Sequence, residues 1–137
     1  MKRLLVAAVL LIVVAVSLGT VVWLNYVQNV ALKHETDRWA VIEDVEGNRI
    51  AVETTDDNVW TQLVQLNQNG TRMFIGSIVE TYGNKWGFRF KPENLTVAEF
   101  TAEGLQATIK YISENLDYWL DGWAYVGAKV TAIHTPT

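Results

Sequence analysis

From Leu4 to Leu24 the chain runs for 21 residues without a charge, and its only polar positions are Ser17, Gly19 and Thr20. A helix rises about 1.5 Å per residue, so a run of this length matches a hydrocarbon core of about 30 Å. Lys2 and Arg3 precede the run and no cluster of positive charge follows it directly. The positive-inside rule then puts the N-terminus in the cytoplasm and everything after Tyr26 outside. Trp23 and Tyr26 fall at the outer end, where aromatic rings favour the headgroup zone. The sequence therefore predicts a transmembrane signal-anchor helix over residues 1–26, a stalk over 27–37 and an extracytoplasmic domain over 38–137. The expected location is the cell membrane, single-pass, with the lipid bilayer as partner through Leu4 to Leu24. The competing reading is a cleaved secretory signal, since Ala15-Val16-Ser17 has the small-residue spacing that a signal peptidase prefers. Against it, the apolar run outlasts the 7–15 residues usual for a signal peptide. Both readings export the domain; the second releases it.

Beyond the leader roughly 100 residues remain, enough for one hydrophobic core and too few for two. They carry 9 basic and 15 acidic residues, a net −6, without a basic stripe. That balance argues against nucleic acid and against docking on an anionic lipid surface. There is no cysteine, which excludes disulfides, thiolate metal sites, a cysteine nucleophile and a lipidated cysteine anchor.

Periodicity predicts an α+β domain. Trp39-Ala40-Val41-Ile42 and Ile50-Ala51-Val52 flank the turn cluster Glu46-Gly47-Asn48 as two short strands. Asp56 or Asp57 can cap a helix carrying Val59, Trp60, Leu63, Val64 and Leu66, and Asn69-Gly70 can end it with a left-handed residue. Met73 to Glu80 and Trp86 to Lys91 read as a hairpin. Closed symmetrically about Gly83, it pairs Ile78 with Phe88, Ser77 with Arg89 and Gly76 with Phe90. After Pro92, alternation over Val97 to Glu103 predicts a strand. Leu105, Ile109, Ile112, Leu116 and Trp119 then form one helical stripe ending at Gly122, and Trp123 to His134 is the last strand. The expected order is β-β-α-β-β-β-α-β, a small mixed or antiparallel sheet with two packed helices.

The run Phe74-Ile75-Gly76-Ser77-Ile78-Val79, then Tyr82-Gly83-Asn84-Lys85-Trp86-Gly87-Phe88-Arg89-Phe90, Pro92, and Glu103 to Leu116 resembles a small exported domain. That family is named after a slime-mould calcium-regulated membrane glycoprotein. Its pattern has a Gly-Arg-Ile strand, a Tyr-Asn-x-x-Trp-x-Phe turn, a proline, a Glu-x-Cys-Asp-Ala segment entering a helix, and a closing Trp-Cys-Pro-Trp. The likeness covers about Ile50 to Ile133 and rests on Gly76, Tyr82, Trp86, Phe88 and Pro92. It implies the fold and export. Here Leu105-Gln106 stands where Cys-Asp would be, and Trp123-Ala124-Tyr125 replaces the closing segment, so a cysteine- or aspartate-dependent role is not implied for this chain.

Catalytic parts are not visible. His34 and His134 are far apart in sequence, Ser77 and Ser113 lie inside predicted elements with no elbow motif, and no metal site or cofactor is expected. The acidic stretch Glu43, Asp44, Glu46, Glu53, Asp56 and Asp57 lacks an EF-hand pattern, so capping and solvation account for most of it. Asn69-Gly70-Thr71 and Asn94-Leu95-Thr96 are glycosylation sequons. Tyr82, Trp86, Tyr118, Trp119, Trp123 and Tyr125 are the candidate binding residues, because not every ring around a helix end and a turn can point inward. The sequence thus favours a non-enzymatic binding or interaction module with a protein partner at the membrane surface. An accessory subunit whose membrane helix is itself the interface is the alternative.

Overall fold

The computed structural model describes residues 36–136. The predicted membrane helix and most of the stalk lie outside the described residues, and no helix among the described residues is long and apolar enough to cross a membrane. The domain is α+β, with an antiparallel sheet and few helices. Its strands are β1 (Trp39–Asp44), β2 (Arg49–Val52), β3 (Met73–Thr81), β4 (Phe88–Phe90), β5 (Thr96–Ala98) and β6 (Trp123–His134). Its helices are α1 (Asp57–Asn69), α2 (Ile109–Glu114) and the single turn α3 (Leu116–Trp119).

The sheet order is β2-β1-β6-β3-β4, with β5 also on β3. β6 is the long central strand, paired with β1 through its second half and with β3 through its first. β4 and β5 follow one another along the other edge of β3, interrupted by a 3-10 turn at Pro92–Asn94. Strand alternation decides what is buried. Ile75, Ser77 and Val79 face inward beside Ala124, Val126 and Ala128, while Phe74, Gly76 and Ile78 face outward beside Gly127, Tyr125 and Trp123. A shift of register at Val41/Ile42 turns Ile133 back toward the core.

Both longer helices pack on the inward face. Trp60, Leu63 and Leu66 of α1 join Ile109 and Ile112 of α2 in the same buried cluster as Ile42, Ile50, Phe88 and Phe90. Each fully buried Leu, Ile or Phe side chain in such a cluster contributes roughly 1.5–3 kcal/mol. α1 starts where expected: the Asp56 side chain accepts from the N–H groups of Asn58 (2.8 Å) and Val59 (3.3 Å). It ends at Gly70, whose φ of 65° is left-handed.

Three expectations are corrected. The β3–β4 register is Thr81 with Phe88, Glu80 with Arg89 and Val79 with Phe90, not the pairing centred on Gly83. The cause is Asn84. Its side-chain oxygen accepts from Trp86 and Gly87 N–H at 3.1 and 2.9 Å, and its amide donates to the Phe88 carbonyl at 2.8 Å. Together with Gly87 at φ 79°, this takes residues 82–87 into the turn. Gly76 accordingly lies against Tyr125 of β6 rather than Phe90.

The second correction concerns the helix stripe. Leu105 is not helical; its carbonyl accepts from Tyr125 N–H at 2.8 Å, and Ala107 N–H donates to the Tyr125 carbonyl at 3.0 Å. Helix α2 begins after Thr108, whose hydroxyl accepts from Tyr111 N–H, and the stripe breaks at Asn115 into α2 and α3. The third concerns Val97 to Glu103, which keeps strand pairing only through Ala98. Phe100 is 85% exposed instead of lining a strand face.

Candidate functional site

The six candidate rings fall in three places rather than one patch. Tyr82 and Trp86 lie at the seam where the edge strands β2 and β4 approach each other. No ladder joins those edges, and side chains close the gap. Trp86 Nε1 donates to the Arg49 carbonyl at 2.7 Å, the Arg89 guanidinium lies 4.6 Å from the Tyr82 ring, and Arg89 pairs with Glu80 at 2.6 Å. Glu53, only 5% exposed, also lines the seam. One of its carboxylate oxygens accepts from the N–H (2.9 Å) and hydroxyl (3.1 Å) of Thr36, at the point where the described chain begins. Two carboxylates thus approach this region, but the space enclosed is about 10 Å³. That is room for one water and for no organic substrate.

Trp119 is buried beneath Tyr118 and Tyr111, with ring centroids at 5.1 and 6.4 Å in edge-on arrangements. Its indole N–H has no hydrogen-bond partner among the described residues. Tyr118 is 76% exposed. The third group is on the outward face of β6. Trp123, 38% exposed, lies nearly parallel to Tyr125 at 12°, with centroids 6.1 Å apart. Glycine makes that placement possible. A Cβ on Gly76 would sit 2.8 Å from Tyr125 Cδ1, so the tyrosine ring occupies the space that any larger residue would fill. The same device recurs one pair along, where Phe74 lies over Gly127.

Of the sequons, Asn69 is exposed at the end of α1, whereas Asn94 is half-buried in the 3-10 turn and followed by buried Leu95. His134 stacks on Trp39 at 3.6 Å, where β1 begins and β6 ends; His34 lies outside the described residues. No group of three or more His, Asp or Glu side chains converges in a metal-binding arrangement among the described residues.

Asp44 was hidden in what the sequence presents as a solvated acidic stretch. It is 2% exposed. One carboxylate oxygen accepts from Glu46 and Asn48 N–H at 3.0 Å each, and the other accepts from Ile109 N–H at 2.9 Å. A single side chain therefore shapes the β1–β2 turn and anchors the start of α2. An aspartate opening a turn that contains Gly47 and Asn48 is the available sequence signal; the tie to Ile109 has none.

Glu43 is held by Arg49 at 3.0 Å and Lys129 at 3.4 Å. The Arg49 hydrogen bond outweighs desolvation and, with Lys129, draws the Glu43 carboxyl below its ordinary 4.5. A depressed carboxylate pKa stabilises the fold above the unfolded value and loses that contribution as pH falls through the folded one. We expect a small decline in melting temperature below about pH 4.5 that is weaker in Arg49→Gln, read by thermal melts across pH 3–6.

The positions at which the family pattern carries cysteines are neighbours in space. Leu105 is bonded to Tyr125, next to Ala124, so the two departures from the pattern fall at one contact. No curated protein and no solved structure matches the chain. The residues that carried the resemblance do structural work here: Gly76 admits Tyr125, Asn84 and Gly87 build the turn, Trp86 closes the seam, and Phe88 and Pro92 are buried. A family model described as the BP-74 N-terminal domain matches residues 36–136, the fold from the Thr36–Glu53 contact through the end of β6, and the chain belongs to that family.

Proposed function

We propose that this chain is a non-catalytic interaction module held on the outer face of a membrane by Leu4 to Leu24, contacting a protein partner through the rings at the start of β6. The observation that carries the reading is the Trp123–Tyr125 pair, exposed and braced on the sheet by Gly76. Large rings of this kind supply contact area at low entropic cost. Position supports it as well. The chain enters the domain at Thr36 beside Trp39 and His134, and Trp123 is roughly 35 Å away along β6, at about 3.3 Å per residue. Those rings would point away from the bilayer, toward whatever approaches from outside.

The test is affinity capture with the full chain, a soluble form beginning at Tyr26, and Trp123→Ala in both. We expect the soluble form to retain its partner and Trp123→Ala to weaken retention by about tenfold or more. The same substitution should leave the melting temperature nearly unchanged. Retention by the full chain alone supports the alternative, an accessory subunit that binds through its apolar N-terminal run. Retention unaffected by Trp123→Ala removes the aromatic pair from the reading.

A further inference from the structure

On the outward face, where β1 stops and residues 105–107 take over beside β6, there is a depression of about 370 Å³. Its walls are apolar, formed by Val45, Phe74, Ala107 and Gly127. Arg72 stands at its rim, one guanidinium nitrogen donating to the Gly127 carbonyl at 3.1 Å, and makes no ion pair among the described residues. Asp44 also borders the depression, but its oxygens are taken by the three N–H donors described above. The cavity is thus apolar with one cation available.

The loop over residues 99–104 runs from one bank of this depression to the other. It leaves β5 at Ala98, paired with Phe74, and returns at Leu105, directly before Gln106 on the opposite wall. In the middle stands Phe100, 85% exposed, between Glu99 and Glu103, which are exposed or partly so and form no ion pair among the described residues. An apolar socket with a cation and an exposed ring between two carboxylates are complementary, and they adjoin on one molecule. Such a surface is self-complementary about a two-fold axis, where each copy gives what the other receives.

We propose that two copies of this chain pair through this face, with Phe100 of each entering the other's depression and Glu99 and Glu103 meeting the other's Arg72. The charges matter because a domain of net −6 repels its own copy elsewhere on its surface. Two phenylalanines burying about 150–250 Å² each fall short of the roughly 1,000 Å² of a stable interface. The pair is therefore weak and concentration-dependent, and cross-linking detects it better than sizing does.

The chain has no cysteine, so single introduced thiols report without ambiguity. Full-length Val45→Cys and Ala102→Cys proteins are mixed in detergent and treated with a short bis-maleimide. The control mixture carries Asn69→Cys and Lys110→Cys, on exposed surfaces of α1 and α2. We expect the first mixture to cross-link at least about tenfold more than the control, and Phe100→Ser to bring it to the control level. Arg72→Glu should do the same by setting like charges opposite one another. Adding Glu99→Lys and Glu103→Lys to Arg72→Glu should restore the yield, a recovery that damage to folding does not produce. A yield equal to the control overturns the proposal. So does a yield indifferent to Phe100→Ser and to the charge reversal, which would assign the association to the apolar N-terminal run.

Discussion

Gly76→Ala will cost the domain about 3 kcal/mol or more, at or beyond the upper end of ordinary overpacking. The added methyl would lie 2.0 Å from the Ala124 carbonyl oxygen and 2.8 Å from Tyr125 Cα. Those are backbone atoms of the central strand and cannot rotate away, so β3 and β6 must separate where they pair most extensively. For a domain of this size the loss lowers the melting temperature by at least about 12 °C. Two other glycines calibrate the result. Gly127→Ala places its methyl 3.6 Å from the Phe74 ring, an ordinary contact, and should change stability by no more than about 0.5 kcal/mol. Gly70→Ala meets no atom within 4 Å but must hold φ at 65°, a cost of about 1 kcal/mol. Urea denaturation of the three variants measures the order. If Gly76→Ala proves as mild as Gly127→Ala, the close approach of β3 to β6 is wrong.

The second large effect belongs to Asp44→Ala. It strands three backbone N–H groups, one of them the buried Ile109 N–H, and should destabilise by about 3 kcal/mol or more. Asp44→Asn keeps an oxygen for Glu46 and Asn48 but turns an amide donor toward Ile109, and should cost about half as much. Hydrogen exchange localises the damage. Protection should fall at Glu46, Asn48 and Ile109 in the alanine variant while α1 keeps its own. A loss below about 1 kcal/mol would mean that water replaces the carboxylate readily, contrary to its burial.

These two positions also mark what the sequence could and could not convey. Elements set by local chemistry are legible: Asp56 and Gly70 bound α1, turn residues separate β1 from β2, and β6 spans Trp123–His134 as alternation indicates. Gly76 was recognisable as a close approach, but its neighbour was not. The β3–β4 register depends on how many residues the Asn84 side chain draws into the turn, and periodicity carries no such count. The Leu105 stripe misled for a related reason. Its spacing suits a helix, yet the free edge of β6 beyond the end of β1 offers Leu105 and Ala107 hydrogen bonds that a helix start would leave unmade. The candidate rings were found by type, and their division among seam, core and open face follows from strand parity and curl. Arg72 and Phe100 had no signal, because the depression exists only where three distant segments meet.

The antiparallel pairing of β1 with β6 has a mechanical consequence. Tension between a tether at Thr36 and a contact at Trp123 would draw β1 from its Trp39 end and β6 from its Trp123 end. Those pulls are opposed and parallel to the strands. The pairs from Trp39 and His134 to Asp44 and Ala128 would then share the load together, in shear, instead of parting one after another as a zip does. A head that joins an anchor to something that tugs on it would keep its shape longest when loaded along that line.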